Sequence, residues 1–305
     1  MADVVVVGGC NMDLVVQTPR LPSAGETVLG YGFFTAPGGK GSNQAVAAAR
    51  LGAQVAFLGR LGADDFGVRL RKMLEAEGVD VQHLVMDTEQ PTGVALITVE
   101  ESGENTIVVA SGANARLSQE DVEAAAETIR AARVVLLQLE SPIPALLRAA
   151  EIAAAAGVRV VFSAGPAREV PEALLRATSV LVANRREVGQ MAGLEVQDLA
   201  GVERAARRLI ERGVGAVVAT LGAKGALAID RTGARSVLGF QVKAVDTVGA
   251  GDAFTAGLAV ALADRLPFEE AVRMGNACGA LAATRPGAQP SMPRRAEVAL
   301  LLSGG

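Results

Sequence analysis

Several short stretches of the sequence carry side chains that could do chemistry together. In Asp246-Thr247-Val248-Gly249-Ala250-Gly251-Asp252, a glycine turn opens an apolar, helix-forming run. Peptide N–H groups at Gly249, Ala250 and Gly251 can converge at a helix start and stabilise a developing negative charge. Asp252, in the first helical turn, is placed to take a proton from an attacking hydroxyl. An aspartate there can also simply compensate the helix dipole, but the flanking glycines favour the chemical role. The stretch Pro37-Gly38-Gly39-Lys40-Gly41-Ser42-Asn43-Gln44 opens an alanine-rich helix. Its glycines permit close backbone approach to a ligand, and Lys40 and Asn43 add a cation and an amide. It is not a Walker loop, because Phe34 and Gly41 stand where that pattern needs Gly and Ser or Thr. The competing reading is a flexible turn with Ser42 as N-cap.

Gly8-Gly9-Cys10-Asn11-Met12-Asp13 directly follows an apolar run. In extended chain Asn11 and Asp13 point the same way and can offer an amide and a carboxylate to one polyol; both residues also punctuate ordinary loops. Asn184-Arg185-Arg186-Glu187 has the spacing of a capping box, and by spacing alone that role outweighs a polar pair organising magnesium and phosphate. Thr220-Leu221-Gly222-Ala223-Lys224-Gly225 reads by itself as a glycine turn between strands. His83 has no carboxylate and serine near it in sequence and reads as a surface or strand-edge residue.

The composition narrows the chemistry. The chain has 305 residues, a net charge of -4 and 3% aromatics, which lacks the basic field and stacking rings of a nucleic-acid binder. One histidine excludes multi-histidine zinc sites and leaves only His83 for a histidine triad. Two cysteines, Cys10 and Cys278, far apart in sequence, suggest neither a disulfide framework nor a metal knuckle, and a reducing cytoplasm is the expected setting. The start lacks the pattern of a signal peptide. Mean hydropathy is +0.33, yet the longest apolar stretches fall short of the roughly 18 residues of a membrane span, so no membrane partner is expected.

To position these residues, the sequence supplies short β-branched runs at 4–7, 55–58, 134–139, 158–162, 180–182 and 216–220. Between them lie helical stretches near 42–51, 66–77, 119–131, 143–156, 199–212, 252–262 and 268–284. Strands buried on both faces and separated by helices predict an α/β fold with a mostly parallel sheet flanked by helices on both faces. Residues of about 14–37 and 92–110 break that alternation and predict a small inserted antiparallel β-sheet, a lid. No linker is visible, so residues 1–305 are expected to form one domain.

Taken together and in order, these motifs resemble the ribokinase-like (PfkB-type) carbohydrate kinases. The match spans about residues 4 to 293 and rests chiefly on residues 38–47 and 246–252, with Leu139-Glu140-Ser141-Pro142 and Gly287-Ala288-Gln289-Pro290-Ser291 beside them. The resemblance implies ATP-dependent phosphorylation of the 5-hydroxyl of ribose. It implies sugar contacts at Asn11, Asp13, Gly38, Gly39, Asn43, Glu140 and Asp252, with Lys40 near the phosphate path, Asp252 as the base, and Gly249, Ala250 and Gly251 as the anion hole. It further implies nucleotide contacts at Asn184, Glu187, Thr220, Leu221, Gly222, Ala223, Lys224, Gly225, Gly251 and Asn276. Glu187 would be associated with Mg²⁺, and an activating K⁺ would lie near Asp246, Val248, Ala282, Arg285, Gly287 and Ser291. A homodimer through the lid is also implied. Ser163-Ala164-Gly165-Pro166-Ala167 departs from the family's Asn-Pro-Ala-Pro-Ala, and Arg185-Arg186 adds two charges inside the Asn-x-x-Glu motif. The alternatives are a kinase of another pentose, deoxyribose or a nucleoside, a Rossmann-type dehydrogenase, or a non-catalytic sugar-binding module.

Overall fold

A computed structural model describes residues 2–304. Its strands are β1 (Val4–Val7), β2 (Asn11–Thr18), β3 (Gly32–Gly38), β4 (Val55–Gly62), β5 (Leu84–Asp87), β6 (Gly93–Glu100), β7 (Asn105–Ala110), β8 (Val134–Gln138), β9 (Arg159–Ser163), β10 (Val180–Asn184), β11 (Ala216–Thr220), β12 (Ala226–Asp230) and β13 (Gly233–Val237). Nine of them form one sheet in the order β13-β12-β11-β10-β9-β8-β1-β4-β5. Every pair from β5 to β11 is parallel, and only β12 and β13 run antiparallel to their neighbours.

Helices cover both faces, as the unbroken apolar runs require. One layer holds α1 (Lys40–Arg50), α2 (Asp65–Ala76), α9 (Ala250–Ala263), α10 (Phe268–Ala282) and α11 (Arg295–Ser303). The other holds α3 (Gln119–Ala124), α4 (Ala126–Ala131), α5 (Ile143–Ala155), α6 (Glu172–Ala177), α7 (Arg185–Ala192) and α8 (Leu199–Glu211). Strand β1 alternates between the layers, Val4 and Val6 entering one core and Val5 and Val7 the other. Small residues let α9 lie close to both α1 and α10: a Cβ on Gly257 would come 2.6 Å from the Cys278 Sγ. That close packing is what the alanine-rich composition is for. No helix among the described residues is long and apolar enough to cross a membrane.

The remaining strands form the lid, a four-stranded sheet in the order β3-β2-β6-β7. The sequence reading needs one correction here. The outer pairs are antiparallel, but β2 and β6 run parallel, with Asn11 opposite Gly93, so the lid is a mixed sheet. Both strands begin at the body of the molecule and leave it in the same direction, so they cannot be antiparallel. Smaller differences have local causes. The stretch 119–131 is two short helices, interrupted at Ala125. Helix α1 starts at Lys40, and Ser42 is not its cap: the Ser42 hydroxyl donates to the Gly38 and Gly39 carbonyls at 2.5 and 3.0 Å. Strand β5 has four residues, too few to show alternation.

Candidate active site

The chain crosses from β1 to the lid through Gly8-Gly9-Cys10, and no helix follows those glycines, unlike a dinucleotide-binding turn. Gly39 closes over this crossing at φ 92°, where a Cβ would sit 2.8 Å from the Cys10 Cα and 2.9 Å from the Asn11 nitrogen. Asn114 ties the crossing down. Its amide donates to the Cys10 carbonyl (3.1 Å) and to Asn11 Oδ1 (2.8 Å), and its Oδ1 accepts from the Cys10 N–H (3.0 Å). Asn11 and Asp13 therefore project from one face of β2. The Asp13 carboxylate occupies the space a Gly38 side chain would fill.

Glu140, just beyond β8, accepts from the Lys40 N–H at 2.7 Å and so satisfies one free donor at the start of α1. Burial pushes Asp13 up to about 7, with the Glu140 charge adding to it. Burial also raises Glu140 to about 6; Lys40 opposes the rise and Asp252 adds to it. Two carboxylates held this way are acceptors waiting for hydroxyl donors.

Asp252 is 6% exposed, at the start of α9. Asn43 Nδ2 donates to its Oδ2 at 2.9 Å, and Gln44 Nε2 donates to its Oδ1 at 3.0 Å. Asn43 thereby spends its amide, while its Oδ1 is buried without a partner. Lys40 is raised mainly by the Asp252 charge, against its own burial, with Glu140 and Glu187 contributing. At the glycine turn Gly249 takes φ 78°, and a Cβ on Gly251 would meet nothing within 4 Å, so space lies open at the helix start. The Ala250 N–H is turned back to the Thr247 carbonyl at 3.2 Å, which corrects the expectation that all three amides point inward.

Next to Gly251 opens a cavity of about 280 Å³ lined by Thr220, Gly222, Ala223, Gly225 and Asn276. Leu221 and Lys224 do not line it: Leu221 packs into the core beneath, and Lys224 points to solvent. Asn276 donates to the Val237 and Leu238 carbonyls at 3.0 and 3.1 Å, pinning the strand end that leads into Gly239, Phe240, Gln241, Val242 and Ala244, which line the cavity together with Gly279 and Ala280 of α10 and Ala283 at its end. Phe240 and Phe254 also line the cavity, the rest of whose surface is mostly glycine, alanine and other small side chains. Asn184 and Glu187 lie outside this cavity and form a complete capping box on α7. The Glu187 Oε2 accepts from the Asn184 N–H at 2.8 Å, while its Oε1 faces the open side of Gly165, beside the Lys40 stem.

The residues expected around a monovalent cation gather behind the glycine turn. Asp246 accepts from the Val248 N–H at 2.9 Å and from the Gly287 N–H at 2.7 Å. The Ala282 carbonyl accepts from the Arg285 N–H at 3.2 Å, the Arg285 guanidinium pairs with Glu297, and the buried Ser291 hydroxyl donates to the Ala288 carbonyl at 2.7 Å. His83 bonds Thr128 at 2.9 Å, away from all of this.

The sequence reading missed Asn114, Gln44 and Gln138, which hold these groups by contacts remote in sequence; the wall at 239–244 carries no periodic signal. Three comparisons bear on the arrangement. The family model "pfkB family carbohydrate kinase" matches residues 1–295. A ribokinase of Haemophilus influenzae is 40% identical over 292 residues, covering 96% of this chain and 95% of that protein. Among solved structures, a ribokinase of Thermotoga maritima superposes with a TM-score of 0.91 at 34% identity, covering 99% of this chain and all of that one. An Arabidopsis thaliana ribokinase complexed with ribose and ATP gives a TM-score of 0.91 at 33% identity over 99% of this chain and 98% of that one.

Proposed function

The chain belongs to the pfkB family of carbohydrate kinases, and we propose that it phosphorylates D-ribose at the 5-hydroxyl with ATP, giving ribose 5-phosphate and ADP. The observation that carries this reading is the clamped Asp252 beside an open helix start, with an unpaired Asn43 oxygen next to it. Ribose enters under the lid and its hydroxyls donate hydrogen bonds to Asp13, Asn43 Oδ1 and Glu140. Asn11 and the Gly38-Gly39 backbone fix its depth. Asp252 takes the 5-hydroxyl proton as that oxygen attacks the γ-phosphoryl group. The open amides at Gly249 and Gly251, with the Lys40 ammonium, meet the charge on the transferred group. Positioning and electrostatics of this kind supply most of the catalysis in phosphoryl transfer. The adenine end of ATP takes the cavity bounded by Thr220, Gly225, Phe240 and Asn276.

The residues present fit the two cations. Magnesium is usually held through one or two carboxylates plus substrate phosphates, and Glu187 has one oxygen outside its capping box to offer. Bound there, Mg²⁺ would offset phosphate charge. The Asp246, Val248, Ala282, Arg285, Gly287 and Ser291 set offers oxygen donors, mostly carbonyls, as K⁺ requires. A cation there would favour the Gly249–Gly251 turn electrostatically.

We read residues 1–305 as one domain with its lid, acting as a homodimer. Exposed apolar side chains on both lid faces, including Phe33, Leu96, Ile107 and Val108, support pairing through that sheet. Two buried free thiols, Cys10 and Cys278, suit a reducing cytoplasm. The experiment is a panel of ribose, 2-deoxyribose, other pentoses and nucleosides with ATP, followed by ADP release. Ribose should give the highest kcat/KM. A preference for 2-deoxyribose or a nucleoside would move the assignment within the family, and ribose binding without ADP release would make the chain a binding module.

A further inference from the structure

Two buried glutamines stand behind Asp252 with no role in the reaction described above. Gln138 ends β8, next to the central strand β1, and is 0% exposed. Its Nε2 donates to Gln44 Oε1 at 2.7 Å, and Gln44, also 0% exposed, donates its own Nε2 to Asp252 Oδ1 at 3.0 Å. Both amides point their donors toward the carboxylate. At the far end Gln138 Oε1 is buried without a partner and lies in the space where a Gly8 side chain would be. The arrangement is costly to keep: a glycine conceded at position 8, two buried amides, and one acceptor left unpaired.

We propose that Gln138 and Gln44 are positioning residues whose aligned amides hold the Asp252 side chain turned toward the substrate hydroxyl. This rests on the reading of Asp252 as the proton acceptor. The direction of the chain is its functional content. Gln44 can present either its N–H₂ or its carbonyl oxygen to Asp252, and only the first suits a carboxylate. Gln138 selects it, because its own donor claims the Gln44 carbonyl. The charged groups facing Asp252 are Lys40 from α1 and Glu140 from beyond β8, with Glu187 of α7 beyond Lys40 and Asp13 of β2 beyond Glu140. Gln138→Met adds no charge among them, whereas Gln138→Glu adds a carboxylate two residues from Glu140, so only the Met variant reads the amide through a pH profile.

The test replaces Gln138 in the full-length enzyme by Met, which keeps its bulk but donates nothing, and by Glu. A carboxylate at 138 accepts from Gln44, which must then turn its carbonyl toward Asp252. Expected is a loss of roughly tenfold in kcat for Gln138→Met and a loss nearer 100-fold for Gln138→Glu, the range of a hydrogen bond to a charged group. The ribose KM should stay within about twofold, and in Gln138→Met the acid limb of the kcat–pH profile should move to higher pH. Equal losses with an unmoved acid limb, or an unchanged kcat in the Met variant, would overturn the proposal. Should Gln138→Glu not fold, the Met variant still decides through its kcat and acid limb. Asp252→Asn measured alongside separates the two readings. If it keeps its turnover, the base assignment falls; if it is inactive while both Gln138 variants behave as wild type, only the positioning role falls.

Discussion

Asp252 is gripped through both oxygens by side-chain amides, so Asn keeps its shape but sets an N–H₂ against one of those donors, a mismatch that Asn43, whose own oxygen is unpaired, can relieve by turning its amide over. Asp252→Asn should fold with a melting temperature near wild type and lose on the order of 10³ in kcat, the usual reach of a general base. Near-normal turnover would remove Asp252 from that role. Asp13 makes a different prediction. Its folded value of about 7 lies above the ordinary 3.8, so the ligand-free fold favours its protonated form. Its contribution to stability is therefore full below about pH 3.8 and fades as pH rises to about 7, with Glu140 fading in parallel between 4.5 and about 6. Asp13→Asn should flatten the fall in melting temperature across that window and raise the ribose KM more than it lowers kcat. An unchanged pH slope would show that Asp13 is not strained by burial. The residues legible in the sequence, Asp252 and its glycines or Asn43 beside Lys40, are those whose meaning is contained in a few adjacent letters. Asn114 and Gln138 act 104 and 94 positions away from their partners, and a lone amide at the end of an apolar run gives no local sign of that.

At the level of elements, the start of α9 separates stability from activity. Gly251 is in helical conformation with nothing near its missing Cβ, so the structure has no packing reason for glycine there. Gly251→Ala should make the ligand-free protein more stable by roughly 0.5–1 kcal/mol, since alanine is the better helix former. The same methyl would stand in the space assigned to the phosphoryl group, so kcat should fall by at least tenfold, an amount set by a clash rather than by unfolding. Calorimetry and turnover on one preparation check both halves; loss of stability together with activity would refute the account. The alternation of strands and helices was readable because each strand is buried on both faces and each helix has its own apolar stripe. The parallel pairing of β2 with β6 was not, because it depends on where two separate segments leave the body, which no local pattern records.

On the scale of the whole molecule, the lid presents large apolar side chains on both faces of β7. Ile107 and Val108 are 52% and 65% exposed and point in opposite directions. Sedimentation should find a dimer, and a glutamate at Ile107 or at Val108 should give a monomer for whichever face is buried in it. A wild-type monomer would end the dimer reading. The same lid has a mechanical property that follows from its attachment. Gly8-Gly9-Cys10 is one of its connections to the body, and Asn11 and Asp13, assigned above to the sugar, are the first and third residues of strand β2, eight residues and so about 26 Å long. A rotation of about 10° about that crossing would carry the outer end of β2 some 4–5 Å, while Asn11 moved less than about 1 Å and Asp13 about 1–2 Å. The substrate would sit at the fulcrum of the lever. The lid could swing to admit ribose, or be pulled by a partner subunit, with the contacts nearest the pivot moving far less than its outer edge. Changes at the lid's outer edge should therefore alter how often the site opens far more than how tightly it grips.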